Sequence, residues 1–187
     1  MRALLLALLT LLPLAAAKPK VRITTNLGAI TLELEPEAAP KTVENFLGYV
    51  REGFYNGTVF HRVEPFAIQG GGYTEKLAEK RKKAPIPHEG KLAKSKGLLN
   101  KKGTVAMALP AGNPFGGTCQ FFINTKDNPT LNFKAETMQD YGYCPFGRVV
   151  DGMATVEKIR KVKTVVRGAH RTVPDPLVVI QKAEVLQ

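Results

Sequence analysis

The stretch FHRVEPFAIQGGG, residues 60–72, sets a permanent cation, Arg62, among apolar residues, with an amide at Gln69 and a run of glycines behind it. Further along, QFFIN at 120–124 supplies a second amide, Gln120, and places Phe122 two positions later, on the same face of an expected strand. Arginine brings a rigid fork of donors that stays charged. Each glutamine is both donor and acceptor. Phe66, Phe122 and Leu131 offer apolar walls. Such a set can hold an apolar ring and fix the peptide group beside it by hydrogen bonds. It contains nothing with which to attack a bond.

Other chemistries find poor support. The glycines of IQGGGYT do not form GxGxxG, and no GxxxxGK[ST] occurs, so a phosphate cradle is not expected. The glycines read instead as a bend or a close backbone approach. His61, His88 and His170 are scattered, without HExxH or a carboxylate cluster, which argues against a metal site and implies no cofactor. Ser95 is the lone serine and lies among lysines. Cys119 beside His61 imitates a dyad on paper, but GTCQFFIN gives the thiol no activating neighbour, and it reads as a small packing residue. Cys119 and Cys144 fit no CxxC or zinc spacing, and whether they pair is left open.

The elements that must position these residues are mostly strands. Val21–Thr25 and Ala29–Leu34 alternate apolar and polar residues around Asn26-Leu27-Gly28, a hairpin pattern. Pro40 suits a first helical turn, and Val43, Phe46, Leu47 and Val50 follow at helical spacing up to Gly53. Strands are predicted at Thr58–Val63, Phe66–Gln69, Thr104–Leu109, Gln120–Asn124, Phe146–Val150 and Leu177–Leu186, and a second helix at Gly152–Val162. The absence of a βα repeat argues against a doubly wound sheet. The pattern predicts a mainly β chain: a closed eight-stranded antiparallel barrel with two helices to plug its ends.

Residues 1–17, MRALLLALLTLLPLAAA, have the layout of a secretory signal peptide: a basic start, an apolar run and small residues before Lys18. The run is too short to span a bilayer. The expectation is export, to the periplasm or outside the cell, with one domain over 18–187 and no membrane anchor after cleavage. The formal net charge is +11. Much of the excess lies in residues 76–102, read as a long surface excursion with solvated charges. No aromatic residues interleave with those lysines, so no nucleic-acid partner is expected.

Six blocks, VENF (43–46), FYNGTVFHRV (54–63), IQGGG (68–72), GTVAMA (103–108), QFFIN (120–124) and FGRVVDGM (146–153), resemble segments of the cyclophilin family in the family's order. The resemblance runs from Val21 to about Leu186. It implies peptidyl-prolyl cis–trans isomerase activity on proline-containing, unfolded or partly folded polypeptides, by a monomer. Arg62 takes the place of the catalytic arginine. Phe66, Gln69, Gln120, Phe122 and Leu131 would line the proline-binding groove, and Ala108 and Leu109 would pair with the substrate backbone. Tyr143 falls where many members carry His. His61 precedes the arginine and, by strand alternation, is expected on the opposite face in a structural role.

Departures from the family pattern carry expectations of their own. Pro65 runs directly into Phe66-Ala67, one residue shorter than usual, which would loosen the pocket or shift the turn. Thr130 stands where some members carry a Trp important for cyclosporin binding, which predicts weak cyclosporin affinity. The stretch LPAGNPFGGT, 109–118, is longer than in compact members and should alter one wall of the groove, and Asn132 replaces a common Asp. A binding module with little turnover, or an adaptor acting through residues 76–102, are the competing functional readings.

Overall fold

The structure is a computed structural model that describes residues 17–186, so the leader assigned to 1–17 lies, but for Ala17, outside the described residues. Strands β1 (Lys20–Thr25) and β2 (Gly28–Leu34) form the expected hairpin, with Thr25 paired to Gly28 across a two-residue turn. Their alternate residues Val21, Ile23, Ile30, Leu32 and Leu34 are fully buried. Helix α1 (Pro40–Arg51) follows and turns Val43, Phe46, Leu47 and Val50 inward. β3 (Thr58–Glu64) and β4 (Ala67–Thr74) come next, then a short helix α2 (Gly90–Ser95). β5 (Thr104–Met107), β6 (Phe121–Asn124) and β7 (Pro145–Asp151) lead to helix α3 (Met153–Arg160). The chain closes with β8 (Thr164–Arg167), β9 (His170–Pro174) and β10 (Val178–Leu186).

Eight strands close into an antiparallel barrel in the order β1-β10-β3-β4-β6-β5-β7-β2, while β8 and β9 pair only with each other. Closure removes the edges that an open sheet would present for pairing. The barrel is filled by a single cluster into which α1 sends Phe46 and α3 sends Val156 and Ile159. Phe46 packs at 5.1–5.5 Å against the rings of Tyr55, Phe121 and Phe146. Each such side chain contributes roughly 1.5–3 kcal/mol by leaving water.

Residues 76–102 depart from the expected solvated excursion. They include α2, whose Ala93 is fully buried, and Asn100 is buried as well. The Lys80 ammonium donates to the Phe54 carbonyl, and the Lys83 main-chain N–H donates to the Tyr49 hydroxyl at 2.8 Å. Glu89 accepts from the N–H groups of Lys41 (3.1 Å) and Thr42 (2.8 Å), so the excursion caps the first turn of α1. A six-residue helix with so narrow a buried face leaves no readable period in the sequence, and lysine stems can cover apolar surface while their charges stay wet.

The glycines make the expected close approach, but the strand does not stop at Gln69 as predicted. Gly70, Gly71 and Gly72 continue β4 rather than ending it. Gly71 has φ +85°, and a Cβ there would come within 2.8 Å of the Tyr55 ring. A Cβ on Gly72 would meet the Gln120 side chain at 2.6 Å, so this glycine is what lets Gln120 lie across β4.

Candidate active site

All nine sequence-predicted site residues line one groove, made of two adjoining cavities. The smaller, of about 310 Å³, is walled by Phe66, Ala67, Phe122, Leu131 and Tyr143, with Ala111 from the 109–118 loop. The larger, of about 490 Å³, is polar and includes Gln120, Thr118, His61, Tyr73, Glu79 and Lys82. Arg62, Glu64, Gln69, Ala108 and Leu109 belong to both and form the ridge between them.

The ridge is a directed chain of hydrogen bonds. Arg62 Nε donates to Glu64 Oε1 at 3.3 Å and Nη1 to Gln69 Oε1 at 3.4 Å. Gln69 Nε2 then donates to Gln120 Oε1 at 2.9 Å. Both ends of the Gln69 amide are therefore engaged, and the Gln120 amide nitrogen is left as a donor facing the polar cavity. The Arg62 side chain is about half exposed (49%), and its guanidinium carbon lies 6.0 Å from the centre of the Phe66 ring.

The apolar cavity is shaped from behind. Phe122 and Tyr143 meet edge to face, with ring centres 5.3 Å apart. The two-residue turn Pro65-Phe66, closed by the Glu64–Ala67 pair, is fastened rather than loosened. The Phe66 carbonyl accepts from Thr125 N and Asn128 Nδ2, each at 3.0 Å, and the Pro65 carbonyl from Thr125 Oγ1 at 3.0 Å. Asn128 Nδ2 also reaches Asn124 Oδ1 (2.7 Å), and Asn124 Nδ2 reaches Asn100 Oδ1 (3.2 Å). Asn100 Nδ2 in turn donates to the carbonyls of Leu131 (3.0 Å) and Tyr143 (3.2 Å). A ladder of buried asparagines thus holds the main chain of three wall residues. Asn132 joins it by accepting from the Asn100 N–H at 2.8 Å, which gives the substitution noted in the sequence a structural use.

This arrangement of an apolar ring pocket beside an arginine–amide ridge is accompanied by a family match. The family model described as cyclophilin type peptidyl-prolyl cis-trans isomerase/CLD matches residues 20–185. This chain is a cyclophilin.

Among its relatives, peptidyl-prolyl cis-trans isomerase B of Escherichia coli is 47% identical over 166 residues, covering 88% of this chain and 98% of that protein. The isomerase cyp18 of Streptomyces antibioticus is 48% identical over 167 residues, covering 89% and 98%. Among solved structures, a cyclophilin type isomerase of Cryptosporidium parvum, crystallised in the presence of the dipeptide Ala-Pro, has a TM-score of 0.67 at 26% identity, covering 90% of this chain and 99% of that one. The present chain is thus an enzyme, a peptidyl-prolyl cis-trans isomerase.

One expectation about this cyclophilin is overturned. His61 does not face away from Arg62. The β3–β4 register slips between Phe60–Gly70 and Arg62–Gln69, leaving His61 as an extra residue. A bulge breaks the alternation on which the opposite-face reading relied. His61 instead lines the polar cavity, buried against Tyr73 and His170 with ring centres at 4.6 and 5.6 Å. Burial, then the neighbouring His170 and Arg62, pull its pKa down to about 4, so the ring is neutral at physiological pH.

The sequence reading also missed Glu64 and the β8–β9 hairpin, whose residues Ala169–Thr172 wall the polar cavity. Glu64 sits two residues after Arg62, a spacing that puts both on one strand face and was available as a signal. The hairpin gave none, because VRGAHRTV lacks a buried stripe. At Ala108, expected to pair with a substrate backbone, the N–H is already given to the Gln120 carbonyl at 2.9 Å. Cys119 and Cys144 are free and buried, and burial pushes the Cys144 thiol up to about 12. Among the described residues, no group of three His, Cys, Asp or Glu side chains stands close enough to hold a metal ion.

Proposed function

We propose that the apolar cavity receives the proline ring while Arg62 catalyses rotation about the preceding peptide bond. Amide resonance sets a rotation barrier of about 18–20 kcal/mol. Halfway through rotation the proline nitrogen loses conjugation and becomes pyramidal, with a lone pair able to accept a hydrogen bond. Arg62 gives one N–H to Glu64 and one to Gln69, leaving the rest of its five donors for that nitrogen. The planar ground state has no such acceptor, so the bond forms only in the transition state and lowers the barrier. Gln120 is the amide available to hold the rotating carbonyl.

The observation that carries this reading is the position of Arg62 on the ridge shared by both cavities. Magnetisation exchange on a short X–Pro peptide tests it. Arg62→Ala is expected to slow the catalysed exchange by about 100-fold, the usual scale for loss of one transition-state donor. Equal rates in the two proteins would overturn it and favour a binding module.

The clients are taken to be exported polypeptides, folded with this isomerase's help in the periplasm or outside the cell, where it works as a monomer. Residues 1–17 motivate this through their leader pattern. The domain begins to use its chain immediately afterwards: Lys18 pairs with Glu35 at 2.6 Å, and the Pro19 carbonyl accepts from Leu34 N at 2.8 Å. No helix among the described residues is long and apolar enough to cross a membrane. Fractionation followed by N-terminal sequencing is expected to recover the protein outside the cytoplasm, beginning at Lys18. A cytoplasmic protein that retains residues 1–17 would contradict this.

A further inference from the structure

We infer that Thr172, on the β8–β9 hairpin, is a positioning residue for Arg62, acting through Glu64. This rests on the proposed role of Arg62. Thr172 Oγ1 donates to Glu64 Oε1 at 3.1 Å, and the same oxygen accepts Arg62 Nε at 3.3 Å. β9 lies alongside β3 outside the barrel, so the contact joins an element that takes no part in barrel closure to the ridge of the site. Thr172 is half-buried, and its neighbour Val173 is fully buried, which anchors the hydroxyl.

The physical need is clear from the exposure of the pair. A half-exposed arginine and a carboxylate two residues away on one strand have long, mobile side chains, and such pairs hold their geometry weakly. A hydroxyl from a separate, packed strand fixes the carboxylate at one oxygen, leaving less rotamer freedom to lose when Arg62 meets the twisted amide. Gln69 fixes the opposite edge of the guanidinium at 3.4 Å. The two anchors orient the fork so that its remaining donors serve substrate.

The test uses the full mature chain and an X–Pro peptide, with kcat and KM measured separately. Thr172→Val keeps the shape of the side chain and removes the donor. It is expected to lower kcat about three- to tenfold with KM and Tm unchanged, and Thr172→Ser is expected to restore it. In a Glu64→Ala background, which removes the shared acceptor, the effect of Thr172→Val should vanish, since the two act in series. If valine disturbs β9, Thr172→Ala against Thr172→Ser makes the same comparison. A wild-type kcat in Thr172→Val, or an equal loss with and without Glu64, overturns the inference while leaving the Arg62 reading intact. Wild-type turnover in Arg62→Ala overturns both.

Discussion

Phe66, Leu131 and Tyr143, around the apolar cavity, have their main-chain carbonyls tied to buried asparagines, whereas Arg62, between the cavities, is held by side chains that are themselves partly exposed. The difference suits two tasks. A proline ring has one shape, so its pocket gains from a fixed wall. In the proposed mechanism the nitrogen that Arg62 meets moves out of plane during the reaction, so a steered but adjustable donor suits it. Buried amides that lose a partner forfeit about 1–3 kcal/mol each, while exposed ion pairs contribute only about 0.2–1 kcal/mol. Substitutions behind the apolar cavity should therefore cost stability, and substitutions at the ridge should cost rate.

The largest stability effect is expected from Asn124→Ala. This fully buried side chain joins Asn100, Asn128 and Thr104, and its loss leaves those partners unsatisfied. A drop of about 4 kcal/mol by urea denaturation is predicted; a change under about 1 kcal/mol would mean that the asparagine ladder does not set the wall.

Next comes the pH response of the polar half. His61 is packed by Tyr73 and His170, with Arg62, Glu79, Lys82 and Arg171 on the same cavity. Its pKa of about 4 lies below the ordinary value near 6.5, so as pH falls the unfolded chain takes the proton first. Stability from this neutral histidine is whole above about pH 6.5 and is lost progressively towards pH 4, by about 3 kcal/mol. Comparing the wild type with His61→Gln from pH 7 to pH 4 should show a shallower loss in the variant. Parallel curves would remove His61 from the account.

The smallest of these stability effects belongs to Gly72→Ala. The added Cβ would displace Gln120, whose side chain approaches to 2.6 Å. Turnover is expected to fall several-fold with stability changed by less than about 1 kcal/mol, since the displaced group is a side chain rather than backbone. A large loss of stability would show that Gln120 is fixed by the barrel rather than by the site.

Much of the barrel was legible because Val21, Ile23, Ile30 and Leu32 alternate cleanly and because Phe46 and Val50 keep helical spacing. Of the groove residues, Arg62, Gln69, Gln120 and Phe122 were legible from the FHRV, IQGGG and QFFIN blocks. What stayed hidden was non-local or irregular. The bulge at His61 depends on pairing with β4, which no single strand records. Asn100 and Asn124 lie 24 residues apart and read separately as surface-type polar residues. Helix α2 and the β8–β9 hairpin pack outside the barrel with too few buried positions to show a period.

The division of labour between the two halves is tested most directly by measuring kcat and KM for Phe122→Ala and Arg62→Ala on one X–Pro peptide. Phe122 lines the apolar cavity and Arg62 the ridge. Phe122→Ala is predicted to raise KM about tenfold or more with a smaller change in kcat, as expected for lost ring binding. Arg62→Ala is predicted to lower kcat about 100-fold with KM within about twofold. The same pattern in both variants, or the reverse pattern, would contradict the account.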